Sequence, residues 1–161
     1  MKNRYLTEII DKDALKDKKI AFISGPRQVG KTTLGKQLLK DSNNYFSWDE
    51  THSRKVWTKS PEKLLENIGE GPILFDEIHK DRKWKSKMKG LYDRHGEKLS
   101  FLVTGSAKLD IYRKGSDSLL GRYIPYRLHP FSVSESYSLP DQMLKKFKTN
   151  YKWDDLIALG G

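Results

Sequence analysis

The stretch Lys19-Ile20-Ala21-Phe22-Ile23-Ser24-Gly25-Pro26-Arg27-Gln28-Val29-Gly30-Lys31-Thr32-Thr33-Leu34 carries the signals of a strand, a loop and a helix start in succession. Its first six residues form a short apolar run ended by Gly-Pro, which predicts a buried strand. From Lys31 to Asp41, Leu34, Leu38 and Leu39 fall at helical spacing and predict a helix. Between the two, Gly25 to Thr32 matches G-x-x-x-x-G-K-[ST]. The chemistry asks for these residue types. Glycine permits backbone angles and a close approach that a Cβ would block. The loop N–H groups then turn inward and cradle phosphate oxygens. The helix that follows adds its positive N-terminal end. The candidate cradle is Gly25, Pro26, Arg27, Gln28, Val29, Gly30, Lys31, Thr32 and Thr33. Lys31 is placed to reach the β- and γ-phosphates, and the Thr32 hydroxyl to ligate Mg²⁺. Arg27 faces either solvent or a partner subunit.

On either side of this stretch the chain alternates strands and helices. Charged residues from Thr7 to Lys19 predict a short N-terminal helix. Tyr45 to Trp48 reads as a second strand. Ser60 as N-cap and Pro61 at the first helical position predict a helix from Pro61 to Ile68. Pro72-Ile73-Leu74-Phe75 is a short buried strand ending on Asp76, with Pro tolerated at its start. Trp84, Met88, Leu91 and Tyr92 share one helical face. Ser100 to Thr104 is another buried strand, ended by Gly105. Arg122 to Leu128 is a further strand. Ser132 to Tyr137 is a short helix capped by Ser132 or Ser134. This alternation predicts an α/β sandwich with a mainly parallel sheet. Such sheets bind ligands at the carboxyl ends of their strands. Each chemical motif lies just after a strand.

Asp76-Glu77 places two carboxylates at a strand end. Phosphate-loop NTPases hold Mg²⁺ with the loop hydroxyl and an acidic residue on a neighbouring strand. Asp76 fits that role, and Glu77 is placed to orient or deprotonate an attacking water. An acidic pair that caps the next helix is the plainer alternative. Thr104 and Ser106 face the same edge and are candidates to touch the γ-phosphate or the water; a simple turn is the alternative. Phosphoryl transfer also needs positive charge on the transition state. Arg113, Arg122 and Arg127 are candidates, with Arg122 following the turn-permitting Gly121.

Composition bounds the rest. The 161 residues fit one domain able to bury a core. No cysteine is present, which excludes disulfides and thiolate metal sites and suits a reducing cytoplasm. No apolar run is long enough for a membrane span, and the start of the chain lacks an apolar signal core, so a cytoplasmic protein with no membrane partner is expected. The net charge of +10 favours acidic partners such as nucleotides or nucleic acids. Between His79 and Lys98 eight Lys/Arg stand against three Asp/Glu. That stretch reads first as a solvated helix face, with DNA contact as the sharper alternative. A second basic stretch runs from Lys145 to Lys152. His52, His79, His95 and His129 show no metal-ligand spacing.

Together the motifs form a series: Gly25 to Leu34; Phe75-Asp76-Glu77-Ile78-His79; Leu102-Val103-Thr104-Gly105-Ser106-Ala107; Ser118-Leu119-Leu120-Gly121-Arg122; and His129-Pro130-Phe131-Ser132 with Glu135. The series resembles the AAA-like ATPase domain of a large family of prokaryotic ATPases, which carries a C-terminal domain of unknown function. The resemblance covers about residues 1–140. It implies a three-layer phosphate-loop NTPase fold of the additional-strand, catalytic-glutamate type, with strand order 5-1-4-3-2. It implies Lys31 and Thr32 as phosphate and Mg²⁺ contacts, Asp76 as the Mg²⁺-linked acid and Glu77 as catalytic glutamate. Thr104 and Ser106 fall at the sensor-like strand end. Arg122 matches the family's Gly-Arg and becomes a candidate arginine finger, in cis or in trans. Trp48-Asp49 matches the end of the family's second strand. Residues 141–161 then read as a basic linker or the start of a truncated C-terminal domain.

The expected activity is Mg²⁺-dependent ATP hydrolysis by Lys31, Glu77 and Arg122. No guanine-specific Asn/Thr-Lys-x-Asp motif is present, which favours ATP over GTP. A nucleotide-gated module that binds protein or DNA with little turnover is the alternative. A small-molecule kinase is a third class, disfavoured by the Asp-Glu pair, which suits water as acceptor. A homo-oligomer or a C-terminal partner domain is an expected partner besides ATP.

Overall fold

The computed structural model describes residues 4–106 and 119–130. The chain opens with α1 (Tyr5–Ile10), which runs into one π-type turn at Asp11–Leu15. Then come β1 (Ile20–Gly25), α2 (Lys31–Gln37), β2 (Tyr45–Ser47) and α3 (Thr51–Lys59). They are followed by β3 (Ile73–Asp76), α4 (Trp84–His95), β4 (Phe101–Ser106) and β5 (Tyr123–Arg127). The five strands form one sheet in the order β2-β3-β4-β1-β5. Every neighbouring pair is parallel. Read from the other edge this is 5-1-4-3-2, the order expected.

Strand parity builds the three layers. Successive side chains leave a strand on opposite faces. Ile20, Phe22, Ile73, Phe75, Phe101 and Val103 therefore point one way, onto Trp57 of α3 and Trp84, Met88 and Leu91 of α4. Ala21, Ile23, Leu74 and Leu102 point the other way, onto Leu6 and Ile10 of α1 and Leu34 of α2. Phe22 is fully buried between the rings of Trp84 and Tyr123, both edge-on at 5.3 and 5.0 Å. Burying one such side chain contributes about 1.5–3 kcal/mol. Among the described residues no helix is long and apolar enough to cross a membrane.

Several sequence expectations need correction. The N-terminal helix starts at Tyr5, not Thr7, and gives way to the π turn. Helix α2 stops at Gln37 because Leu38 and Leu39 switch to tighter bonds with Gly35 and Lys36. The helix expected over Pro61 to Ile68 is a 3-10 segment at Pro61–Leu65, and the Ser60 side chain makes no cap bond. The α-helix of this region is α3, which the sequence pattern does not predict. Only Val56 and Trp57 among its nine residues are strongly apolar. Its cap is the Glu50 carboxylate, which accepts from His52 N–H at 2.7 Å and Ser53 N–H at 2.5 Å. Glu is outside the usual N-cap set. The Ser132 to Tyr137 helix, Arg113, Ala107, Ser118, Phe131, Glu135, the 140/141 boundary and the Lys145 to Lys152 stretch lie outside the described residues.

Candidate functional site

Parallel register brings the chemical motifs to one edge. Gly25 pairs with Ser106, Asp76 with Thr104, and Ser47 with Asp76, all at carboxyl ends. The phosphate loop leaves β1 there and enters α2. Its turn needs left-handed backbone at Gln28 (φ 62) and Gly30 (φ 93). Glycine takes that region freely, and Gln28 occupies it at some cost. Lys31 is 7% exposed, and its ammonium curls over the loop, donating to the carbonyls of Gly25 (3.2 Å) and Pro26 (2.7 Å). Pro26, Arg27, Gln28 and Thr33 are exposed, and Val29 is buried beneath the loop.

Asp76 is the centre of the arrangement. It is 5% exposed and accepts from the Thr32 hydroxyl at 3.0 and 3.1 Å. It also accepts from the Tyr45 hydroxyl at 3.1 Å and from the Thr104 hydroxyl. A buried carboxylate requires such donors. Thr104 is fully buried, and its oxygen also accepts the Glu77 N–H at 3.3 Å. Thr104 thus faces the two acids. Ser106, one step further out, is partly exposed and lies 3.5 Å from His79 Nε2.

Glu77 sits just beyond β3 with left-handed backbone (φ 57). This conformation turns its side chain out of the strand direction. Its carboxylate lies 3.7 Å from His79 Nε2 and 3.9 Å from Lys80 Nζ. Lys80 is held in turn by Asp49 at 2.6 Å, which gives the Trp48-Asp49 motif a contact. Burial pushes the His79 pKa below its ordinary value, against the pull of Glu77 and with help from Lys80 and Lys31. His79 is therefore neutral at neutral pH, and its contact with Glu77 is polar rather than ionic. Burial, with the Asp76 charge, pushes the Tyr45 pKa up, so its hydroxyl remains a donor.

Sequence reasoning missed Tyr45, His79 as a contact of Glu77, and Arg4. By sequence Tyr45 is a strand residue and nothing more. Arg4, 5% exposed, donates to the Val29 carbonyl from behind the phosphate loop. Nothing in its local sequence signals this.

Arg122 is not brought to the site. It precedes β5, and its carbonyl accepts from Ile20 N–H at the opposite, amino edge of the sheet. Five strand residues separate that edge from Gly25, about 17 Å. Its guanidinium pairs with Asp93 at 2.8 Å. Arg127 ends β5 near the loop, paired with Ser24, and is exposed.

The donor set suits a hard divalent cation. Thr32 and Asp76 present adjacent oxygens from two elements. Among the described residues no three His, Cys, Asp or Glu gather to hold a metal. Mg²⁺ keeps waters and shares substrate phosphates with one or two protein oxygens, so a Thr32–Asp76 pair fits it. The basic stretch around α4 is largely committed. Lys80 pairs with Asp49, Lys87 with Asp81 and Lys89 with Asp93. Arg82 and Lys83 are exposed.

A family model described as an AAA domain matches residues 17–137. The chain is 32% identical over 146 residues to "Uncharacterized protein MJ1637" of Methanocaldococcus jannaschii, covering 81% of this chain and 30% of that protein. Its fold is similar to AMPPCP-bound DnaA from Aquifex aeolicus, with TM-score 0.51 and 16% identity, over 96% of this chain and 53% of that one. C. elegans PCH-2 matches with TM-score 0.45 and 16% identity, over 92% of this chain and 48% of that one. The chain thus spans less than a third of the curated relative and about half of the DnaA chain.

Proposed function

The chain belongs to the AAA domain family, and from that premise we propose that it binds ATP with Mg²⁺ and hydrolyses it. The observation that carries the reading is the 3.0 Å contact between the Thr32 hydroxyl and the Asp76 carboxylate. It joins the phosphate loop to the acidic strand end, the pairing that phosphate-loop NTPases use. A bound Mg²⁺ would neutralise negative charge that develops on the phosphates during transfer.

The residues divide the work. Loop N–H groups and the Lys31 ammonium bind the phosphates. Thr32 and Asp76 would hold the cation, and Tyr45 and Thr104 hold Asp76. Glu77 takes a proton from the attacking water as the oxygen bonds to the γ-phosphorus and the β-γ bridge breaks. Ser106, which lies beside His79, orients that water or a γ-oxygen. Arg122 lies too far from its own loop, so any transition-state role is played on a neighbouring copy. A homo-oligomer is part of this proposal. The cysteine-free composition agrees with a cytoplasmic setting.

The experiment is calorimetric titration of ATP and Mg²⁺ into wild type and Lys31→Ala. Tight binding to wild type alone is expected; equal affinity of the two overturns the reading. A second reading, a nucleotide-gated module with little turnover, is favoured by the contacts of His79 and Lys80 with Glu77. Lys80→Ala then raises turnover; an unchanged or lower rate counts against it. A DNA contact would rest on Arg82 and Lys83, and loss of all duplex binding at low salt removes it.

A further inference from the structure

Arg4 lies before α1 and outside the residues 17–137 of the family match. Its Nη1 donates to the Val29 carbonyl at 3.0 Å, and its Nη2 to the His129 carbonyl at 2.5 Å. One side chain thus joins the start of α1, the phosphate loop and the segment after β5. Loop and segment also meet through backbone. Leu128 N–H donates to the Ser24 carbonyl at 2.7 Å. A Cβ at Gly25 would collide with the Leu128 carbonyl oxygen. The loop therefore rests on a wall at Leu128 and His129, and Arg4 pins both.

Val29 stands between the two left-handed positions, Gln28 and Gly30. The Val29–Gly30 peptide is trans, so the Val29 carbonyl and the Gly30 N–H point in opposite directions. Arg4 draws that carbonyl to the back of the loop. The Gly30 N–H then faces the front, where the cradle receives phosphate oxygen. A cation bonded to the carbonyl also polarises the peptide and strengthens the N–H as a donor.

We propose that Arg4 is a positioning residue for phosphate recognition, which aims and polarises the Gly30 N–H by holding the Val29 carbonyl from behind. This rests on the nucleotide-binding reading. The recognised class is a nucleoside di- or triphosphate, because the contact serves a phosphate and not the base.

The test uses Arg4→Gln and Arg4→Lys, with affinities for ADP and ATP and the Gly30 amide shift in ¹⁵N-labelled protein. Arg4→Gln is expected to weaken both nucleotides alike by roughly tenfold, the scale of one charge-assisted hydrogen bond. The Gly30 amide moves upfield with it, and Arg4→Lys recovers part of both effects. Unchanged affinity in a folded variant overturns the proposal, and so does weakened affinity with an unmoved Gly30 amide. If Arg4→Gln does not fold, Arg4→Lys decides by the same two readouts, intermediate between wild type and loss. Wild type that binds neither nucleotide would refute the functional reading itself; wild type that binds, beside indifferent variants, refutes only the role of Arg4.

Discussion

The Thr104 hydroxyl donates to the Asp76 carboxylate while its oxygen accepts the Glu77 N–H. One buried side chain on β4 therefore sets both acids at the end of β3. Thr104→Val keeps the shape and removes the hydroxyl. It should cost about 1–3 kcal/mol of stability, since Asp76 is left a donor short in a buried place. ATP turnover should fall roughly 10- to 100-fold from misplaced acids, with Mg²⁺-free nucleotide affinity little changed. Thermal melting and phosphate release measure the two. Full turnover in Thr104→Val would show that Thr104 does not position the acids.

Arg122 sits at the far edge of the sheet, paired with Asp93. Arg122→Ala should leave nucleotide affinity unchanged in dilute protein, and stability should fall by less than about 1 kcal/mol, because the pair is partly exposed. Turnover should fall only at protein concentrations where copies associate. A raised Kd at low concentration would mean that Arg122 reaches its own site after all.

Glu50 caps α3, and its bonds to Ser53, through side chain and backbone, and to His52 N–H lower its pKa from 4.5 to about 2. A depressed carboxyl stabilises the fold above its unfolded value, and that contribution is lost as pH falls. Helix α3 should therefore hold at pH 4.5 and weaken as pH drops towards 2. A carboxyl NMR titration of Glu50 checks this, and a midpoint near 4.5 would mean the cap does not form.

Lys87 donates to Asp81 at 2.8 Å and to the carbonyls of Trp57 and Thr58, both at 3.2 Å. Lys87→Met should cost about 1–3 kcal/mol, while Lys83→Met on the exposed surface should stay within about 0.5 kcal/mol. Melting curves of the two variants separate a structural lysine from a solvated one. Equal melting temperatures would return Lys87 to the free basic face.

The sheet was legible because its signals are local. Apolar runs at Ile20 to Ile23, Ile73 to Phe75 and Phe101 to Val103 each end on a motif, and parallel order then forces those motifs to one edge. The phosphate loop, Asp76 and Glu77 follow from that. Helix α3 was illegible because a polar stretch was capped by a glutamate, and its only full anchor is Trp57. Arg4 and Tyr45 were illegible for a different reason. Their roles come from tertiary contact with Val29 and Asp76, and no spacing in the chain encodes it. Arg122 shows the converse: a sequence motif singles it out, and strand direction sets it at the opposite sheet end from the loop of its own chain.

In the proposed reaction Glu77 activates water on a bound triphosphate. Single-turnover hydrolysis of γ-labelled ATP with Mg²⁺, by wild type and Glu77→Gln at matched nucleotide occupancy, tests it most directly. Both proteins should hold ATP, and only wild type should release labelled phosphate at an appreciable rate. Equal rates in the two, whether both measurable or both absent, would contradict it.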